Sequence, residues 1–413
     1  MLDRPVSPTS RPVGDGIRLV KDGVTYVDAA SGTFNLPFGY NYQEVVDALV
    51  EQIQQGVHVS SAYSKELSSE LAADLLQHAP ANLGAAWIRD VVGSTANECA
   101  IKMAQKATGR RDVISLFLSH HGQTQFTTAV SGNSFRRKAF PDASSPYSVK
   151  VPAPYCHRCF YGAKYPSCGM MCVEKIADFL EYATSGSVAC LIIEPILGNG
   201  GNIVPPPGYF EALQKLTTEH DLILIADEIQ TGLGRTGNFF ACETFNIKPA
   251  IMTLGKGLGG IGIPSAAVLM EEQLDVLESY EHSFTSGANI LALSAARATL
   301  KILRDGRLLQ NVRDHGPVLG DLLRALQLGD CGISDVRGVG YMWGIELSKA
   351  DGSPDVERTN AVIARAARDE KLIVRSSRYG FGNVIKVRPS LIATAADLEE
   401  ITTRLGRVLA TTR

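Results

Sequence analysis

The sequence predicts an α/β fold: a mainly parallel β-sheet sandwiched by helices, with a smaller α+β unit at the C-terminal end. Three observations carry this reading. Short, continuous apolar runs recur at VISLF (113–117), ACLIIEP (189–195), LILIADE (222–228), AIMTL (250–254) and SAAVLM (265–270); strands apolar on both faces belong to a sheet covered on both sides. Amphipathic helical segments such as ANECAIKMAQKATG and PGYFEALQKLTTEH lie between several of these runs, which is the α/β alternation. Beyond a long helix expected over Asn289 to Asp305, the pattern changes to GYMWGIEL, KLIVRSS and NVIKVRP with helices before and after.

The elements follow in order. MLDRPVSPTSRPVGDG is polar and Pro-rich and reads as a short arm, not a secretory signal. GIRLVKDGVTYVDAA is a hairpin, two β-rich runs around Asp22-Gly23, a favoured tight-turn pair. Helical periodicity follows in YQEVVDALVEQIQQG and KELSSELAADLLQHA. We divide the chain into an arm and hairpin over 1–45, a large unit over 46–300 and a small unit over 301–413. Hydrophobic residues make up 45% and charged residues 20%, the balance of a globular protein with a sizeable core. Forty basic and 43 acidic side chains, net charge −3, argue against a nucleic-acid or anionic-membrane partner. No window approaches eighteen consecutive apolar residues, so a membrane span is not expected. Eight cysteines without a leader fit a reducing cytoplasm.

Three segments carry chemistry. VVGSTANECAIKMAQK sets Gly93-Ser94-Thr95 before a helix, with Thr95 and Glu98 at capping-box spacing. Free amides there make an anion site, with an ordinary capped helix as the alternative. LILIADEIQTGLGRTG puts Asp227 and Glu228 at the C-terminal end of a buried strand, where open α/β sheets bind ligands. A buried carboxylate needs a partner: a protonated pyridine nitrogen, a neighbouring arginine such as Arg235, or a divalent metal. TLGKGLGGIGIP packs five glycines around Lys256. A phosphate-cradling loop requires a hydroxyl directly after its lysine, and Gly257 stands there, so the nucleotide reading fails. There remain a lysine at a strand end, which desolvation makes nucleophilic, and the plainer alternative of a surface lysine in a flexible loop. Together, an anion-holding helix start, a strand-end aspartate and a strand-end lysine form the layout pyridoxal phosphate requires.

On these residues the sequence resembles the class III aminotransferases, pyridoxal-phosphate enzymes of fold type I, over nearly its whole length. DEIQTGLGRTG followed by TLGKGLGG, with Lys256 29 positions after Asp227, is close to a signature. The resemblance implies an imine-forming lysine at Lys256 and Asp227 on the cofactor's ring nitrogen. GSTANECAIKMA resembles the family's phosphate segment and implies phosphate contacts from Gly93 and Ser94, with Thr95 beside them. LSHHGQT places His120 where relatives stack an aromatic ring. Gln230 matches the glutamine that reaches the cofactor's phenolic oxygen. HSFTSGAN implies that Thr285 reaches the phosphate of a neighbouring subunit, hence a homodimer with shared sites.

Departures bear on the substrate. Asn199 stands where glutamate-using members carry a glutamate, and IKVRPSL has Lys386 in place of the carboxylate-binding arginine, with Arg388 two residues on. Either cation is a candidate for binding a carboxylate. The segment EPILGNGGNIVPPPGY is more similar to the alanine–glyoxylate and dialkylglycine decarboxylase branches, but Thr33 occupies a position where the decarboxylase carries glutamine. The expected reaction moves an amino group from an amine or amino acid to a small oxo acid or aldehyde through a Lys256 imine and a 1,3-proton shift. Racemisation, decarboxylation and C–C bond formation are the alternatives on the same fold. Cys156, Cys159, Cys168 and Cys172 form a C-x2-C-x8-C-x3-C pattern; reduced thiols packing a loop are expected ahead of a structural zinc.

Overall fold

The computed structural model describes residues 13–140, 147–329, 332–377 and 380–412; the polar arm through residue 12 lies outside them. A seven-stranded sheet forms the centre. Its order is Ala85–Asp90, Ala266–Met270, Ile251–Leu254, Ile223–Asp227, Val188–Ile193, Asp112–Leu116 and Ser148–Val151. From Ile251–Leu254 to Ser148–Val151 every neighbouring pair is parallel, and Ala266–Met270 runs antiparallel to both its neighbours. The five apolar runs of the sequence are the five inner strands. The two edge strands, AAWIRD and SVKV, carry charged residues and are only partly buried, so they give no continuous apolar signal.

Helices Gly93–Thr108 and Tyr209–Glu219 pack against this sheet, and the helices Gln43–Gln55 and Lys65–Leu76 pack against a further one, Ile290–Arg304. Asn289 caps the last of them, its side-chain oxygen accepting from the amides of Leu291 and Ala292. This helix runs across residue 300. A second sheet, Ile333–Val339, Met342–Leu347, Val384–Val387 and Arg375–Ser376, is antiparallel throughout.

The Asp22-Gly23 hairpin joins Arg18–Lys21 to Val24–Asp28, with φ of 53° and 75° at its two turn residues, the backbone a tight two-residue turn demands. Val24–Asp28 then pairs in parallel with Leu372–Ile373. KLIVRSS is therefore not one strand: Leu372–Ile373 joins the hairpin sheet and Arg375–Ser376 the small-unit sheet.

The expected capping box does not form. The helix already begins at Gly93, which makes Thr95 its third residue. The Thr95 hydroxyl donates back to the Val92 carbonyl at 2.8 Å, and Glu98 instead accepts from the Thr124 hydroxyl.

Candidate active site

The parallel strands end on one rim, and chemistry-bearing residues follow each end. Asp227 closes Ile223–Asp227, Lys256 follows Ile251–Leu254, Glu194 follows Val188–Ile193, and His120 and His121 follow Asp112–Leu116. This is where open α/β sheets take ligands. A cavity of about 350 Å³ opens there. Of the sequence-predicted site residues it brings together Thr33, Gly93, Ser94, His120, Asp227, Gln230 and Lys256.

Asp227 is 3% exposed. Its Oδ2 accepts from the Asn97 side-chain amide at 2.8 Å and lies 2.8 Å from His121 Nδ1; its Oδ1 accepts from the Ile229 amide at 3.1 Å. Asn97 is fixed in turn, accepting from the Thr253 hydroxyl at 2.7 Å. Burial pushes the carboxyl upward, but the His121 hydrogen bond and charge, Lys256 and Asn97 outweigh it and hold Asp227 below the ordinary carboxylate value. Arg235 is not its partner: that guanidinium is buried and donates to the Pro389 carbonyl. Glu228 faces away from the cavity chemistry, accepting from the Cys242 amide at 2.6 Å and the Thr231 hydroxyl at 2.5 Å.

Lys256 has φ of 41°, in the left-handed region unusual for a lysine. Among the described residues its ammonium makes no hydrogen bond or ion pair. Burial lowers its pKa to about 8; Asp227 and Glu194 partly counter this, and Arg388 adds to it. The amides of Gly93 and Ser94, at the positive end of the 93–108 helix, have no acceptor among the described residues. A Cβ on Gly93 would come within 2.6 Å of Ile229 Cδ1, so only glycine keeps that amide edge close to the cavity. Gln230 accepts from Arg388 Nη1 through its Oε1, which leaves its NH2 group without a described partner.

Other predicted residues fall elsewhere. Thr95 and Thr285 do not line the cavity, and Thr285 is exposed on the surface of the chain. Asn199 is buried in the Gly198–Gly201 turn. Lys386 and Arg388 are 2% and 1% exposed and do not line the cavity; both lie against the ring of Phe34. The four loop cysteines are free thiols. Among the described residues the one group of three potential metal-ligand atoms within 4.8 Å is Asp90, Cys99 and His282, and His282 there faces Asp90 on one nitrogen and Lys102 on the other.

Three site residues escaped the sequence reading. Asn97 sits one helical turn after Gly93, His121 directly follows His120, and Glu194 is the next-to-last residue of the ACLIIEP run. Glu194 accepts from the amides of His120 at 2.8 Å and Gly198 at 2.9 Å, and burial raises its pKa. The doubled histidine was the available signal, since only one imidazole could serve as a stacking ring.

A strand-end lysine and helix-start amides without partners among the described residues, together with a buried aspartate held ionised, define a pyridoxal-phosphate-dependent enzyme of fold type I. Residues 8–409 match the family described as aminotransferase class-III. A leucine/methionine racemase of Thermococcus litoralis is 34% identical over 93% of this chain and 86% of its own. An acetylornithine aminotransferase of Methanothermobacter thermautotrophicus is 32% identical over 94% and 90%. The crystal structure of the omega transaminase from Pseudomonas jessenii in complex with PMP superposes with a TM-score of 0.91, at 27% identity over 98% of this chain and 93% of that one. The chain belongs to the class-III aminotransferase family and is a pyridoxal-phosphate-dependent aminotransferase.

Proposed function

We propose that this cavity passes an amino group from an amine or amino acid to a small oxo acid or aldehyde, with Lys256 as the proton-moving group. The observation that carries the reading is the pairing of an unpartnered, pKa-lowered Lys256 with an Asp227 kept ionised by His121 and Asn97. When bound, pyridoxal phosphate supplies an electron sink for the charge left on the substrate's α-carbon. The residues fit it. The Gly93 and Ser94 amides are placed to hold the phosphate at the helix N-terminus. Asp227, ionised, is suited to keep the pyridine nitrogen protonated, and the free NH2 of Gln230 to donate to the phenolic oxygen. Lys256, in its neutral form, would serve as the base that takes the α-proton and, as its ammonium, as the acid that gives it back. With a pKa of about 8, roughly a tenth of it is neutral at pH 7.

The proposal extends to assembly. Thr285 is exposed on the single chain, as a residue that completes a partner's phosphate site in a homodimer must be before assembly. With this go the division into 1–45, 46–300 and 301–413, and a cytoplasmic location; among the described residues no helix is long and apolar enough to cross a membrane.

The test is a screen of amino donors with the holoenzyme, followed by absorbance and by mass spectrometry in deuterated water. Conversion to the pyridoxamine form supports transamination. Deuterium at the substrate α-carbon with no conversion would instead indicate racemisation, the activity in the name of the 34%-identical relative.

A further inference from the structure

The loop that carries Cys156, Cys159, Cys168 and Cys172 stands apart from the cavity, and none of its residues lines it. From Cys156 to Cys172 no residue is fully buried. Between the short turn Cys156–Arg158 and the helix Met171–Glu174 the backbone forms neither helix nor strand. Apolar burial therefore contributes little to holding it, although long irregular segments are uncommon in a compact fold. Chain that lacks a core of its own is stapled by disulfides or by a metal ion, and these four cysteines are free thiols.

The turns of the loop gather the sulfurs. Cys159 and Cys168 each open a turn, their carbonyls accepting from the amides of Gly162 at 3.0 Å and Met171 at 3.2 Å. The pairs at the two ends of the loop face one another. Burial raises Cys156, and Cys168 and then Cys159 add to it. Burial pushes Cys172 up to about 12, and Cys156, Cys168 and Cys159 add to that. Thiols that oppose one another's ionisation are relieved by a dication, which deprotonates a coordinating thiol outright.

Two phenols point the same way. The hydroxyls of Tyr161 and Tyr209 are buried without a hydrogen-bond partner. Tyr209 is 0% exposed, at the start of the helix Tyr209–Glu219, which packs on Met171–Glu174. After burial, Cys172 is the first charged neighbour acting on each of the two hydroxyls. A buried hydroxyl calls for an acceptor. A protonated thiol is a weak one, and a metal-bound thiolate is a strong one.

We propose that Cys156, Cys159, Cys168 and Cys172 bind one zinc ion as four thiolates, closing the loop, with the Tyr161 and Tyr209 hydroxyls donating to the bound sulfurs. Each S–H proton passes to solvent as a sulfur–metal bond forms, and no electron is transferred. Thiolates in a tetrahedral array select zinc. In the free thiols no three of these sulfurs lie within 4.8 Å of one another, whereas zinc holds each at about 2.3 Å, so binding draws the loop in. The backbone has room for this: Gly162 and Gly169, with φ of 66° and 60°, have no atom within 4 Å of where a side chain would begin. Closure also fixes the turn that sends Arg158 to Glu346 and to Ser348 Oγ at 2.7 Å. The inference does not depend on the proposed function.

The full chain with its cofactor, purified in reducing buffer without chelator, is expected to carry about one zinc per chain by elemental mass spectrometry. Exchange for cobalt should give sulfur-to-cobalt charge transfer and the red ligand-field absorption of a tetrathiolate. Cys168→Ser or Cys172→Ser should weaken cobalt binding by about a hundredfold or more, and Tyr161→Phe or Tyr209→Phe by about tenfold. Cys190→Ala, in the central sheet, should leave it unchanged. In the wild type, which needs no variant to fold, zinc should shield the four loop thiols from alkylation mapped peptide by peptide. The proposal is overturned if the reduced wild type takes up neither zinc nor cobalt, if the bound metal is iron, or if zinc leaves the alkylation of these thiols unchanged. Loop thiols found as disulfides in the chain as isolated would overturn it equally. No arm reads turnover, so a different reaction in the cavity leaves the result standing.

Discussion

Lys256→Met should make the cofactor-free protein more stable, and by an amount that depends on pH. An unfolded lysine titrates near 10.5 and Lys256 near 8, a difference of about 2.5 units at about 1.4 kcal/mol each, or roughly 3 kcal/mol. The folded chain binds fewer protons than the unfolded chain between these two values, so stability rises with pH across that interval. The penalty from the wild-type lysine is therefore full below about pH 8, near 2 kcal/mol at pH 9, and gone above about 10.5. At roughly 2.1 cal/mol/K of unfolding entropy per residue, 3 kcal/mol moves the Tm of a chain this long by about 3 °C. Scanning calorimetry of the cofactor-free wild type and variant at pH 7, 9 and 10.5 should show a gain for methionine that shrinks stepwise. A variant less stable than wild type at pH 7, or a gain that does not change with pH, would refute the reasoning.

In the holoenzyme the same position works the other way: Lys256→Ala should lose the visible absorbance of lysine-bound cofactor together with turnover, and retained turnover would sink the assignment. Asp227→Asn keeps the shape of the site but removes the charge that His121 and Asn97 stabilise, so kcat should fall at least about hundredfold with cofactor still bound, which single-turnover kinetics will read. Gly93→Ala sets a Cβ within 2.6 Å of Ile229 and should weaken cofactor retention more than kcat at saturating cofactor, measured by titrating cofactor into the stripped enzyme. Glu346, held down to about 2 against the pull of burial by Arg337, Tyr155 and Arg158, contributes stability that is full above about pH 4.5 and lost as pH falls toward 2. Glu346→Gln should accordingly cost about 3–5 kcal/mol at neutral pH and flatten the acid limb of the unfolding profile.

Much of this molecule can be read along the chain. Local chemistry dictates the Asp22-Gly23 turn, and five runs of apolar residues mark the inner strands because burial on both faces leaves no room for polar alternation. The same argument explains what could not be read: AAWIRD and SVKV, at the sheet edges, are half solvent-facing. KLIVRSS looks like one strand because its composition is uniform; the switch between two sheets after Ile373 is set by which partners lie alongside.

The sequence alone determined the α/β class and the cofactor class, and singled out Asp227 and Lys256 as strand-end residues, because spacing and residue type carry those. Tertiary structure decided which neighbours set their charge. Asn97 and His121 come from distant segments to hold Asp227 ionised, and a desolvated surrounding lowers Lys256. It also decided that Lys386 and Arg388, two residues apart on one strand, lie buried beneath Phe34 and not on the cavity wall. Burial and field are properties of what surrounds a residue, and most of those surroundings are far away in the chain.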